Sequence, residues 1–128
     1  MKKGVIFLFG EAEKGELCKP TLCSSLIQLF ESFGSPPKDS AGINYAIQFL
    51  GHNRRVLFFR ISQEGFCSND YFQGLSLLNK KELPLLISAI CMPGVGDAAI
   101  LNAASPACEI YKTFLILSEK DLYDYCTH

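Results

Sequence analysis

The chain of 128 residues is 48% hydrophobic and carries 12 basic against 13 acidic side chains, a net charge of -1. That length and composition build one domain whose core closes without disulfide or metal staples, with no linker or second domain in view. The balance of charge excludes a general electrostatic pull toward nucleic acid or an anionic membrane, since basic pairs such as Lys2-Lys3 and Arg54-Arg55 are small and read as solvated surface.

The first element in chain order is Val5-Ile6-Phe7-Leu8-Phe9, set behind two lysines like the start of a signal peptide. The apolar run is too short for one, because a signal needs about seven or more residues. No run approaches a membrane span either. The expectation is a buried strand in a cytoplasmic protein. A helix follows in which Leu26, Ile27, Leu29, Phe30 and Phe33 share a face, Ser25 and Gln28 have capping-box spacing, and Gly34 suits a left-handed stop. Ser40 is placed to cap a second helix with Ile43, Ala46, Ile47 and Leu50 inward and Gly51 at its close.

Val56 to Ile61 reads as the next strand, and Ser68 or Asn69 opens a helix with Tyr71, Phe72, Leu75 and Leu78 as its buried stripe. Leu85 to Cys91 is a third strand. Asp97 starts a helix through Ala104, where Ser105-Pro106 predicts a kink or brief break, because an interior proline removes a helical hydrogen bond. Thr113 to Leu117 is the fourth strand, and Ser118-Glu119-Lys120-Asp121 opens a last helix carrying Leu122, Tyr123 and Tyr125. Near-continuous apolar strands alternating with capped helices predict a single three-layer α/β domain over residues 1–128. Its sheet is expected to be four-stranded and mainly parallel, with helices on both faces.

Six cysteines, at positions 18, 23, 67, 91, 108 and 126, include no C-x-x-C pair, and the histidines are His52 and His128. A tetrahedral metal site needs close ligand pairs, which Cys18 and Cys23 alone do not supply. Free thiols are the expected state, with no disulfide between Cys18 and Cys23. No metal and no cofactor is implied.

The order of parts resembles the core domain of contractile phage tail sheath proteins. That family runs from a strand into G-x-A-x-x-G, here Gly10-Glu11-Ala12-Glu13-Lys14-Gly15, then a proline segment, here Pro20-Thr21. A helix ending in F-G follows, here Phe33-Gly34, then a second helix and a strand ending here in Phe58-Phe59-Arg60-Ile61. The second half corresponds through Gly74-Leu75, Pro93-Gly94-Val95-Gly96-Asp97, Cys108-Glu109 and Phe114 to Leu117. It departs at Phe49-Leu50-Gly51-His52-Asn53-Arg54, where the family carries a glycine-rich turn, and at Ser118, where an aspartate is usual. The resemblance implies a non-catalytic assembly protein that associates with itself or docks to a tail-like structure. Sheath subunits join by adding strands to a neighbour's sheet, so the implied partner is a protein or a second copy, met at a sheet edge.

The chemical alternative lies at the carboxyl ends of the strands, where open α/β sheets bind ligands. Glu11, Glu13, Glu64, Asp97 and Glu119 are placed to converge on that rim, where carboxylates hold a divalent cation or act as acid and base. The competing reading makes Asp97 a helix cap and the glutamates solvated. Gly94 and Gly96 before a helix suggest a phosphate cradle, but Asp97 puts a negative charge where the phosphate would sit and no Lys-Ser/Thr follows. His52 falls at a turn, away from any triad pattern. Cys67, after Glu64-Gly65-Phe66, is the candidate reactive thiol.

Overall fold

The computed structural model describes residues 4–83 and 85–127, so Lys2-Lys3 and His128 lie outside the described residues. The elements are β1 (Val5–Gly10), β2 (Pro20–Cys23), α1 (Leu26–Phe33), α2 (Gly42–Gly51), β3 (Arg55–Arg60), α3 (Ser68–Asn79), β4 (Ile87–Cys91), α4 (Ala98–Tyr111), β5 (Phe114–Ile116) and α5 (Glu119–Cys126). They form an α/β domain around one five-stranded sheet in the order β2-β3-β1-β4-β5.

The four strands read from the sequence all pair parallel. β1 lies between β3 and β4, and β5 extends the sheet beyond β4. Val5–Phe9 and the strand ending at Cys91 therefore belong to the same sheet. The expected strand count is corrected by β2, which pairs antiparallel to β3 and makes the sheet mixed. Its four residues begin with Pro20, which lacks an N–H, so the segment carries a weak strand signal; an edge is where such a strand is tolerated.

Side-chain alternation divides the core into two layers. Val5, Phe7 and Phe9 face one side with Leu57, Phe59, Tyr71, Leu75, Ile100 and Ala104, the side covered by α3 and α4. Ile6 and Leu8 face the other with Leu29, Phe33, Ile43, Phe49 and Leu122, from α1, α2 and α5. Every residue of β1 is buried, as expected of a central parallel strand covered on both faces. The aromatic rings of Phe7, Phe9, Phe59 and Tyr71 meet at centroid separations of 5.0–5.5 Å, in the tilted and edge geometries that aromatic pairs favour.

Alternation breaks once. Val5 pairs with Ile87 and Ile6 with Ala89, leaving Ser88 as an extra residue on β4. This bulge keeps Ile87 and Ile90 on the α3/α4 side and leaves the Ser88 hydroxyl to accept from Tyr125 Oη at 2.7 Å and donate to Val5 O at 3.3 Å.

The helix ends follow local chemistry in three cases. Ser25 Oγ accepts from Gln28 N, Ser118 Oγ from Asp121 N, and Asp97 from Ala99 N and Ile100 N. α2 is different. Ser40 does not cap it; its hydroxyl donates to Pro37 O, and the helix start has no local side-chain acceptor. The break expected at Ser105-Pro106 is also corrected, because α4 continues through Pro106 to Tyr111. Ala104 and Ala107 are fully buried on either side of the proline, so packing against the sheet holds both halves in one helix. On α1 only Leu29 and Phe33 are buried, whereas Leu26, Ile27 and Phe30 are exposed.

Candidate functional site

The chain passes from β1 to β3 on one side of the sheet and then returns to β4 on the other. The strand order thus reverses beside β1, and the crevice where α/β sheets receive ligands is bounded by Gly10–Ala12 and Met92–Gly96. Of the five rim carboxylates, the structure brings Glu11 and Glu64 together. Glu11 N donates to Glu64 Oε2 and Glu64 N donates to Glu11 Oε2, both at 2.8 Å.

Glu64 does more than return that bond. Its Oε1 accepts from Ala41 N at 2.8 Å and its Oε2 from Gly42 N at 2.9 Å, so its carboxylate caps α2 from a distant loop. The approach needs two glycines. A Cβ on Gly42 would lie 2.6 Å from the Gly10 Cα and 2.9 Å from Glu64 Oε2, and one on Gly10 would lie 2.8 Å from the Gly42 Cα. Backbone N–H groups at a helix start are the usual seat of a bound anion, and here the protein's own carboxylate occupies it.

The remaining rim carboxylates are dispersed. Glu13 Oε1 accepts from Ser35 N at 2.7 Å, tying the β1–β2 connection to the end of α1. Asp97 caps α4, and Glu119 is exposed in the first turn of α5. Among the described residues, no three His, Cys, Asp or Glu side chains approach closely enough to share a metal ion. Gly94 has φ of 74° and donates its N–H to Leu117 O at 3.2 Å; Gly96 is exposed with open space beside it. His52 is exposed at the C-cap of α2.

All six cysteines are free thiols. Burial pushes the Cys23 thiol up to about 11, and it raises Cys91, Cys108 and Cys126 as well. Cys67 sits at the N-cap of α3, where its Sγ donates to Gln63 O at 2.9 Å and accepts from Gln63 N at 3.4 Å. It belongs to a cluster that sequence spacing does not signal. Asp70 accepts from both Ser62 N and Ser62 Oγ at 2.9 Å. Burial raises the Asp70 carboxyl, but bonds from Ser62, Cys18 and Cys67 outweigh it and hold the carboxyl below its usual value. Burial, then the Asp70 charge, lifts Cys18 to about 11, so this thiol is held protonated.

Two surface depressions stand apart from the crevice. A shallow groove of about 580 Å³ runs along α3 between Cys18, Asn69, Phe72, Gln73 and Leu77. A more enclosed cleft of about 300 Å³ lies between β5 and α5, lined by Arg54, Phe114, Ile116, Asp121, Asp124 and Tyr125. Among the described residues, no helix is long and apolar enough to cross a membrane. In comparisons with known proteins, the chain matches no family model, no curated protein and no solved structure.

Proposed function

We propose that the protein is a non-catalytic assembly module, similar in role to the core domain of contractile tail sheath subunits, that associates with a second copy through the β2 edge of its sheet. The supporting observation is a run of exposed apolar side chains along the chain there. Leu17, Leu22, Leu26, Ile27 and Phe30 are 51%, 38%, 43%, 70% and 39% exposed, and all fall on the segment running through β2 and α1. Patches of this kind mark protein contacts. β2 also has a free side. Ile61 N donates to Gly10 O and Arg60 O accepts from Cys18 N, so by alternation Phe59 and Leu57 turn their backbone groups toward β1; their partners Pro20 and Leu22 are in non-hydrogen-bonded pairs, and the N–H and C=O of Leu22 face outward. A second β2 running antiparallel meets those groups about a two-fold axis, which gives the self-complementary contact of a symmetric dimer.

The alternative, an enzyme or ligand-binding domain with an acidic site, needs Glu11, Glu64, Asp97 and Glu119 free for a ligand. Bonds to backbone N–H groups engage the first three. The discriminating experiment is light scattering after size exclusion across a concentration series. Leu22→Pro, which removes the outward N–H, and Leu26→Lys with Ile27→Lys are expected to abolish a concentration-dependent dimer. Glu11→Ala with Asp97→Ala and Glu119→Ala is expected to preserve it. A wild type that stays monomeric at high concentration, or a dimer lost only in the carboxylate variant, rejects the proposal.

A further inference from the structure

We propose that the cleft between β5 and α5 binds a small apolar α-amino acid as its zwitterion, with Arg54 taking the carboxylate, Asp124 and Asp121 the ammonium group, and Phe114, Ile116 and Tyr125 the side chain. This reading is independent of the dimer. At about 300 Å³ the cleft lies at the small end of ligand cavities.

Its aromatic wall is held in place from several directions. Tyr125 Oη donates to the bulged Ser88 at 2.7 Å, and the Tyr125 ring meets Phe49 edge-on at 6.4 Å and Phe114 at 5.8 Å. Phe114 is 67% exposed, so a large apolar face is left in water at the mouth of the cleft. Burying such a face is favourable for any ligand with an apolar body.

The charges narrow the choice. The Arg54 guanidinium carbon lies 5.3 Å from the centre of the Tyr125 ring, a cation–π contact that still leaves the guanidinium donors to meet a carboxylate. Arg54 forms no ion pair among the described residues, and its Nε is buried without an acceptor. Asp121 and Asp124 line the same cleft; Asp121 accepts from Leu117 N at 3.1 Å, and Asp124 is 53% exposed and meets Lys120 at 3.1 Å. Each retains acceptor capacity. A simple anion would face two carboxylates, and a simple cation would leave Arg54 unmatched. A molecule carrying both charges a few bonds apart, next to an apolar side chain, satisfies all three groups.

The test is an NMR titration of the full chain with L-phenylalanine, L-leucine and L-methionine, beside 3-phenylpropionate, which lacks the ammonium group, and 2-phenylethylamine, which lacks the carboxylate. At least one amino acid is expected to give saturable shifts at the amides of Phe114, Ile116 and Tyr125, with Kd of about 1 mM or tighter. Each single-charge analogue is expected to bind about tenfold or more weakly, as are Arg54→Gln and Asp124→Asn with the amino acid. Absence of saturation up to about 10 mM, saturable shifts confined to other residues, or equal binding of either analogue overturns the proposal. Should Arg54→Gln fail to fold, the exposed Asp124→Asn decides, and unchanged affinity in that variant overturns it.

Discussion

Glu64 joins three backbone N–H groups, from Glu11, Ala41 and Gly42, that no other side chain among the described residues satisfies. Charge-assisted bonds to backbone amides are among the stronger ones, and an amide stripped of its acceptor in a partly buried place costs about 1–3 kcal/mol. Glu64→Ala is therefore expected to lower stability by about 2–4 kcal/mol in urea denaturation, because water can reach some of the freed amides. Glu64→Gln is expected to fall between, since its amide nitrogen turns donors toward donors. A loss below about 0.5 kcal/mol in Glu64→Ala shows that water replaces the carboxylate without penalty. The sequence places Glu64 on the rim but is silent about this task, because its partners lie 53, 23 and 22 residues away. Caps made by Ser25, Asp97 and Ser118 act within three residues and are legible; a cap delivered from a distant loop has no spacing to read. The same holds for Arg54 and Tyr125, which meet only once β3 and α5 are packed.

At the scale of elements, α3 depends on one close approach. A Cβ on Gly74 would fall 2.4 Å and 2.8 Å from atoms of the Phe9 ring and 3.1 Å from the Phe59 ring. Both rings are fully buried, so they have little room to yield. Gly74→Ala gains helix propensity, but overpacking of this kind costs about 1–3 kcal/mol and outweighs it. A net loss of about 1–2 kcal/mol is expected in the denaturant midpoint; a stabilised variant means that α3 can shift away from the sheet freely. The sequence shows where α3 begins and which residues it buries, apart from Phe72, which is 38% exposed. It does not show the bulge at Ser88 or strand β2, since each depends on what a neighbouring strand offers. Pro106 illustrates the same limit from the other side. Local propensity argues for a break, yet the apolar stripe of Ile100, Ala104 and Ala107 carries the helix across it.

Across the whole molecule, the two core layers bury several groups that ionise only at high pH. Burial lifts Cys23 to about 11 and Tyr45 to about 12, and it raises Cys91 and Tyr71. Each keeps its proton more tightly when folded, so its share of stability is complete below the ordinary thiol or phenol value, 9.0 or 10.0, and declines above it as the unfolded chain ionises first. Stability in urea is expected to be level from about pH 7 to 8.5 and to fall between about 9 and 11. Cys91→Ala is expected to make that fall shallower. A decline already complete by about pH 8, or one that Cys91→Ala leaves unchanged, contradicts the assignment.

The central place of β1 also governs how the protein is made. Both of its neighbours, β3 and β4, follow it in the chain, with β4 ending at Cys91. During synthesis Val5–Phe9 leaves the ribosome well before either partner exists, as a bare apolar segment of the kind that aggregates readily. β1 has both parallel neighbours only once Cys91 has emerged, so the centre of the sheet closes after β4 is made, and until then the first strand keeps at least one edge open.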